Sequence, residues 1–117
     1  MRLIIAGGRD YSLSPVQLAA LDAIHHDERI TQVVSGGATG VDASGEAWAR
    51  RNRIPVVVHK ADWGKHGKAA GPRRNAEMAK VADAVALFKG GRGTASMFAE
   101  AERAGIRVYD FRGTDGN

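Results

Sequence analysis

A chain of 117 residues and 12.4 kDa has room for one domain and no more. With 44% apolar and 26% charged residues it can build one core, and no apolar run approaches the ~20 residues of a membrane span. The absence of cysteine excludes disulfides, thiolate metal sites and a cysteine nucleophile, and a net charge of +4 fits an anionic partner, whether nucleotide or nucleic acid. Met1–Ala6 is too short for a signal peptide, so the expected setting is cytoplasmic. Neither a membrane partner nor a cofactor is expected.

Apolar strand-like runs alternate with helical patterns. Leu3–Ala6 reads as a first strand and is followed by Gly7-Gly8-Arg9-Asp10. Ser14-Pro15-Val16-Gln17 is a capping box with proline at the first helical position; Leu13 and Leu18 stand where a hydrophobic staple would sit, and Leu21 and Ile24 continue the buried stripe. A second strand, Gln32–Ser35, leads into Gly36-Gly37-Ala38-Thr39-Gly40-Val41-Asp42 and a helix from about Val41 to Asn52, with Trp48 in the core. Val56–His59 reads as a third strand. Lys60 to Pro72 then runs without periodicity, as a long loop carrying a basic stretch of Lys60, Lys65, Lys68, Arg73 and Arg74. A third helix is expected over Arg74–Val81 and a fourth strand over Ala84–Phe88. The loop Gly90-Gly91-Arg92-Gly93-Thr94 opens a fourth helix, Thr94–Ala104, which Gly105 stops. Arg107–Phe111 is a fifth, edge-like strand, and 113–117 a flexible tail behind a domain of residues 1–112. The alternation predicts an α/β, Rossmann-like domain with a doubly wound, five-stranded parallel sheet flanked by helices.

Glycine is the compositional anomaly: 15 of 117 residues, about twice the usual share. Eight of them (Gly7, Gly8, Gly36, Gly37, Gly40, Gly90, Gly91 and Gly93) directly follow strand-like runs. In an open parallel sheet, ligands bind beyond the carboxyl ends of the strands. Glycine lets the backbone approach an anion there, and the next helix offers free N–H groups and the positive end of its dipole. Thr39 and Thr94 can add hydroxyl hydrogen bonds or cap their helices. Arg9 can clamp a phosphate or pair with Asp10. Asp42 can take a ribose hydroxyl or complement its own helix dipole. Trp63 can stack on a base or pack across the sheet edge. Arg74, read as opening a helix where a cation is disfavoured, needs a phosphate or an acid such as Asp42 to hold it. Neither a Walker A loop nor G-x-G-x-x-G after the first strand is present, which argues against a P-loop ATPase and an ordinary NAD dehydrogenase. The four histidines show no metal-ligand spacing, so no metal site is expected.

The three loops, with Ala61-Asp62-Trp63, Gly67 to Asn75 and Ala82-Asp83 between them, resemble the SLOG superfamily, in particular its YspA-like, YpsA-related branch, over nearly the whole chain. Arg74-Asn75-Ala76-Glu77-Met78, then Ala82-Asp83-Ala84, then Gly90–Thr94 are similar to the lonely-guy phosphoribohydrolases. Those carry R-K-x-x-M, A-D-A and P-G-G-x-G-T-x-x-E and hydrolyse the N-glycosidic bond of nucleoside monophosphates. The resemblance implies a Rossmann-like fold and a nucleotide-derived ligand, with Lys68 and Asn75 among the residues holding it. It sets the enzymes' catalytic arginine on Arg74 and their motif glutamate on Met97, which cannot do acid–base chemistry. Lys89 stands in place of the motif's proline, and Asn75 in place of the lysine after the arginine. Glu100, one helical turn beyond Met97, is the candidate substitute.

Three functions follow from this reading. The first is a nucleotide-binding or sensing module, favoured by the loops and by Met97. The second is a phosphoribohydrolase-like enzyme using Arg74 and Glu100. The third is a binder of single-stranded nucleic acid, since the superfamily includes the DNA-processing DprA proteins; its 6% aromatic content argues against it. By the same analogy a homodimer is expected.

Overall fold

Strands and helices alternate in a computed structural model that describes residues 1–113. The elements are β1 (Arg2–Ala6), α1 (Pro15–Glu28), β2 (Gln32–Ser35), α2 (Val41–Arg51), β3 (Val56–Val58), α3 (Trp63–His66), α4 (Ala70–Val81), β4 (Ala84–Leu87), α5 (Arg92–Ala104) and β5 (Arg107–Asp110). All five strands are parallel, in the order β3-β2-β1-β4-β5. The predicted tail lies, from residue 114 on, outside the described residues. Among the described residues no helix is long and apolar enough to cross a membrane.

Side chains alternate across the central strands, and each set meets its own pair of helices. Leu3 and Ile5 of β1 pack with Leu21 and Ile24 of α1 and Val41, Trp48 and Ala49 of α2. Ile4, with Val85 and Leu87 of β4, packs with Met78 and Ala79 of α4 and Met97 and Ala101 of α5. Because both faces are covered, β4 is buried along its whole length, which is why its sequence reads as unbroken apolar residues.

The capping box of α1 is formed: the Gln17 N–H donates to Ser14 Oγ (3.2 Å), and the Ser14 N–H donates to Gln17 Oε1 (2.9 Å). Trp48 is a core residue whose indole N–H donates to Asp22 (2.9 Å). Two other expectations are corrected. The segment expected as a structureless loop folds as α3, capped by the Asp62 carboxylate accepting from the Lys65 N–H (3.0 Å), and then as a 3₁₀ turn over Gly67–Ala69. The next helix begins at Ala70 rather than Arg74. Pro72 does not mark a boundary, because it falls in the first turn, where a missing N–H breaks no intrahelical bond. Arg74 therefore sits in the second turn, and no dipole argument about a helix start applies to it.

Gly45 of α2 lies over β1, where an added Cβ would come within 2.8 Å of Ile5 Cγ2. Gly45→Ala gains about 1 kcal/mol of helix propensity, but overpacking a filled core costs about 1–3 kcal/mol. We expect a net loss of about 1 kcal/mol, read as a lower urea midpoint at unchanged slope; an unchanged or raised midpoint would show that α2 can lift off β1 freely.

Candidate functional site

Crossovers leave β1 in one direction toward β2 and β3, and the chain returns on its other side as β4 and β5, so a crevice opens at the carboxyl ends of β1 and β4. The three glycine loops meet there. The Gly8 N–H donates to the Lys89 carbonyl (2.8 Å), and the Gly8 carbonyl accepts from the Val41 N–H (2.9 Å). Gly40 takes φ of +75° beneath this bridge, and a Cβ on it would run into the Gly8 carbonyl. A Cβ on Gly90 would strike Thr94 Oγ1 and come within 2.8 Å of the Gly8 nitrogen.

A cleft of about 210 Å³ results, lined by Gly7, Gly8, Arg9, Asp42, Arg74, Asn75, Gly91, Gly93 and Thr94 over a floor that includes Met97. The helix α5 starts into it from Gly91 with no side chain capping its first turn, so the N–H groups of Arg92, Gly93 and Thr94 are the groups an anion would meet. A second cleft of about 350 Å³, bounded by Gly36, Gly37, Thr39 and Trp63, shares Arg9, Ala38 and Arg74 with the first. A third of about 640 Å³ lies on the α1 side, against Asp10, Tyr11, Lys89 and Gly90, and shares Gly8, Arg9 and Gly91. Arg9 thus borders all three, with its guanidinium 6.0 Å from the centre of the half-exposed Trp63 ring.

Arg74 and Asp42 flank Gly36. Arg74 donates through Nη1 to the Gly36 carbonyl (2.7 Å) and through Nε to Asn75 Oδ1 (3.1 Å). Asp42 Oδ2 accepts from the Ala38 N–H (3.1 Å). A side chain at Gly36 would come within 2.6 Å of the guanidinium and 2.9 Å of the carboxylate. Burial raises the Asp42 pKa above its ordinary range, a shift opposed by the Ala38 N–H and then by the Arg74 and Arg9 charges. Burial lowers that of Arg74, against the pull of Asp42. The buried Asn75 amide donates to the Gly93 carbonyl (3.3 Å) and Ser96 Oγ (3.1 Å), fastening α4 to the start of α5.

The remaining predicted residues fall as follows. Thr39 does not cap α2: the cap position is Gly40, and the Thr39 hydroxyl donates to the Arg9 carbonyl (3.0 Å). Thr94 is buried in the first turn of α5, two residues past the helix start, and faces the cleft. Lys68 is exposed on the 3₁₀ turn and lines none of the three clefts. Glu100 lies one turn beyond Met97, pairs with Arg103 and lines none of them either. Two contributors went unread in the sequence. Tyr11 donates its hydroxyl to the Lys89 carbonyl (2.7 Å), bracing the same loop that Gly8 holds. Ser35 accepts from the Gly37 N–H (3.2 Å) and donates to Glu46 (2.7 Å), fixing the turn after β2. A hydroxyl directly before Gly-Gly was the available signal for the latter.

The raised pKa of Asp42 has a testable sign. The folded chain holds the Asp42 proton more tightly than the unfolded one, so from about pH 4 upward it binds more protons, and this group's contribution to stability falls as pH rises. Asp42→Asn removes that penalty and keeps a carbonyl for the Ala38 N–H. Urea unfolding of both proteins between pH 4 and 8 should show the variant gaining on the wild type as pH rises through the low end of that range, then running parallel. A difference independent of pH would mean Asp42 ionises as it does in water.

Comparison with known proteins agrees with the fold. The DNA processing protein A (DprA) of Streptococcus pneumoniae superposes with a TM-score of 0.71 at 15% identity, over 93% of this chain and 49% of its own. This chain thus spans about half the length of DprA. The structural-genomics target TM1055 superposes with a TM-score of 0.67 at 22% identity, over 92% of this chain and 71% of its own. In sequence, the Gene 61 protein of Mycobacterium phage D29 is 38% identical over 119 aligned positions, covering 94% of this chain and 95% of that protein. A model of the YspA, cpYpsA-related SLOG family matches residues 1–66. The chain belongs to that SLOG family.

Proposed function

We propose that the protein binds a nucleotide-derived, phosphate-bearing small molecule in the crevice between β1 and β4, as a binding or sensing module. The observation that carries this is the first turn of α5, without a side-chain cap, opening into a cleft that also holds Arg9 and Arg74. An anion there meets three N–H groups and the positive end of a 13-residue helix. The cleft's one lining carboxylate, Asp42, is placed to accept from a ribose hydroxyl. Trp63, beside Arg9 in the adjoining cleft, offers a face for a base. At about 210 Å³ the inner cleft is smaller than most ligand sites, so the bound molecule extends into the neighbouring space around Arg9. A cytoplasmic setting, a single domain over residues 1–112 and a homodimeric assembly belong to the same proposal; the first two rest on the length and patterning of the sequence and the third on the family resemblance.

A second reading, hydrolysis of an N-glycosidic bond, is favoured by Asp42 itself. With Met97 in the floor and Glu100 held by Arg103, Asp42 beside Arg74 is the carboxylate able to protonate a leaving base.

Thermal-shift measurements with nucleoside monophosphates, ADP-ribose, and cyclic and dinucleotide ligands test both. A ligand at ~100 times its Kd stabilises by about 2.7 kcal/mol, a rise in Tm of roughly 10 °C for a chain of this size. That rise should vanish in Arg9→Ala and Arg74→Ala. Chromatography of the mixture then separates the readings, since free base appears only if the bond is cut. If no nucleotide shifts Tm, or the arginine variants shift equally, the crevice is not the site.

A further inference from the structure

At the opposite end of the sheet, where β2 and β3 begin, a groove of about 540 Å³ runs between the exits of α1 and α2. Its lining includes His25, His26, Arg29, Thr31, Asn52 and Arg53, and no carboxylate. One feature sets Arg29 and Arg53 apart. They are the non-glycine residues with positive φ among the described residues, at 47° and 58°. Both are exposed, and among the described residues neither makes an ion pair, in common with Arg9, Arg51, Arg73, Arg74 and Arg92.

Helix ends alone do not account for them. The negative end of a helix dipole favours cations in the last turn, which covers His25, His26, Arg50 and Arg51. Arg29 and Arg53 lie beyond that turn, where the backbone closes the helix: the Arg29 N–H donates to the His25 carbonyl (3.0 Å) and the Arg53 N–H to the Arg50 carbonyl (3.1 Å). Glycine does this without steric cost. The same chain uses it so at the end of α5, where Gly105 takes φ of +71°. At α1 and α2 a long cationic side chain occupies the strained position instead, and both side chains reach one groove. Residues held in unfavourable backbone conformations cluster at functional sites.

We propose that this groove is a second, separate binding surface, which grips the phosphodiester backbone of duplex DNA through Arg29 and Arg53. Two guanidiniums that can each take a phosphate bidentately, with Thr31 and Asn52 as neutral donors, match that chemistry. Duplex rather than single strand follows from the rings available. The lining holds no Trp, Tyr or Phe to stack unpaired bases, and of its two histidines His25 packs edge-on against Trp48. The surface is independent of the nucleotide crevice at the other end of the strands and of the basic segment around Lys68.

Fluorescence anisotropy with a 20-base-pair duplex, and with one of its strands alone, across a series of salt concentrations tests this. The wild type should bind the duplex with a steep salt dependence. Arg29→Gly/Arg53→Gly should bind at least tenfold more weakly, with the log–log salt slope reduced by about 2. The same variant should keep its Tm or gain up to ~5 °C, because glycine relieves the positive φ. Arg29→Asn/Arg53→Asn, which also tolerates that backbone, should repeat the loss. Arg9→Ala should bind DNA as the wild type does. The proposal is overturned by the absence of salt-dependent duplex binding, by equal binding in the glycine variant, by preference for the single strand, or by loss in Arg9→Ala.

Discussion

Gly8 is held from both sides by its backbone, its N–H on the Lys89 carbonyl and its carbonyl on the Val41 N–H, and the geometry of the crevice hangs on that pair of bonds. One residue thereby ties the loop after β1 to the loop after β4 and to the start of α2. The bonds form only if the three backbones come within hydrogen-bond distance, and no Cβ fits between them. Gly40 and Gly90 are small for this reason as much as for any ligand. A glycine cluster at strand ends therefore has two physical causes, backbone packing and anion access. The first is visible here without a ligand. The second needs N–H groups left over: no side chain caps either α2 or α5, but at α2 the first N–H is already used by Gly8.

The same bridge determines what the charged side chains can do. With the loop after β2 drawn close, Gly36 presents its carbonyl to Arg74, and that guanidinium is oriented by protein acceptors before any ligand arrives. Asp42, on the other side of Gly36, is buried and makes no direct ion pair with Arg74 among the described residues. It is partly neutralised at a distance, which keeps it available as an acceptor or proton donor. Arg9, exposed and 6.0 Å from the Trp63 ring, is the cation common to the three clefts. On the function proposed above, a fixed Arg74 beside the exposed Arg9 and Arg92 suits recognition of a phosphate whose attached groups lie to either side.

Much of this was legible in the sequence, because parallel strands covered on both faces leave a strong signal. Leu3–Ala6 and Ala84–Phe88 are apolar throughout, and Ser14-Pro15-Val16-Gln17 is a local motif that closes on itself. The segment from Lys60 to Pro72 was not legible. Its helix α3 is too short to show periodicity, and Pro72 imitates a boundary until one knows that it lies in a first turn. Arg74 reads as a candidate site residue for a reason the structure replaces: it sits in a second turn and is held by Gly36 and Asn75. A basic stretch and a one-turn spacing bring Lys68 and Glu100 forward in the sequence, but Lys68 is exposed on the 3₁₀ turn, Glu100 pairs with Arg103, and neither lines the three clefts. Tyr11 escaped notice because its partner, the Lys89 carbonyl, is 78 residues away and belongs to the backbone.

Position 97 bears most directly on whether the crevice performs chemistry. Met97 is almost wholly buried, packed in the apolar layer formed by β1, β4, α4 and α5, and still reaches the cleft as part of its floor. A carboxylate at such a position would be desolvated and would need a cationic partner to remain ionised. The nearby guanidinium of Arg74 is already shared between Gly36 and Asn75. Methionine fits that surrounding without cost, filling the volume and leaving the floor apolar. The cleft therefore combines the uncapped start of α5 and the arginines with a lining that is apolar at 97 and acidic at Asp42. If cleavage occurs in this crevice, its proton comes from the α2 side, across the cleft from the helix that carries the motif glutamate in the enzymes the sequence resembles.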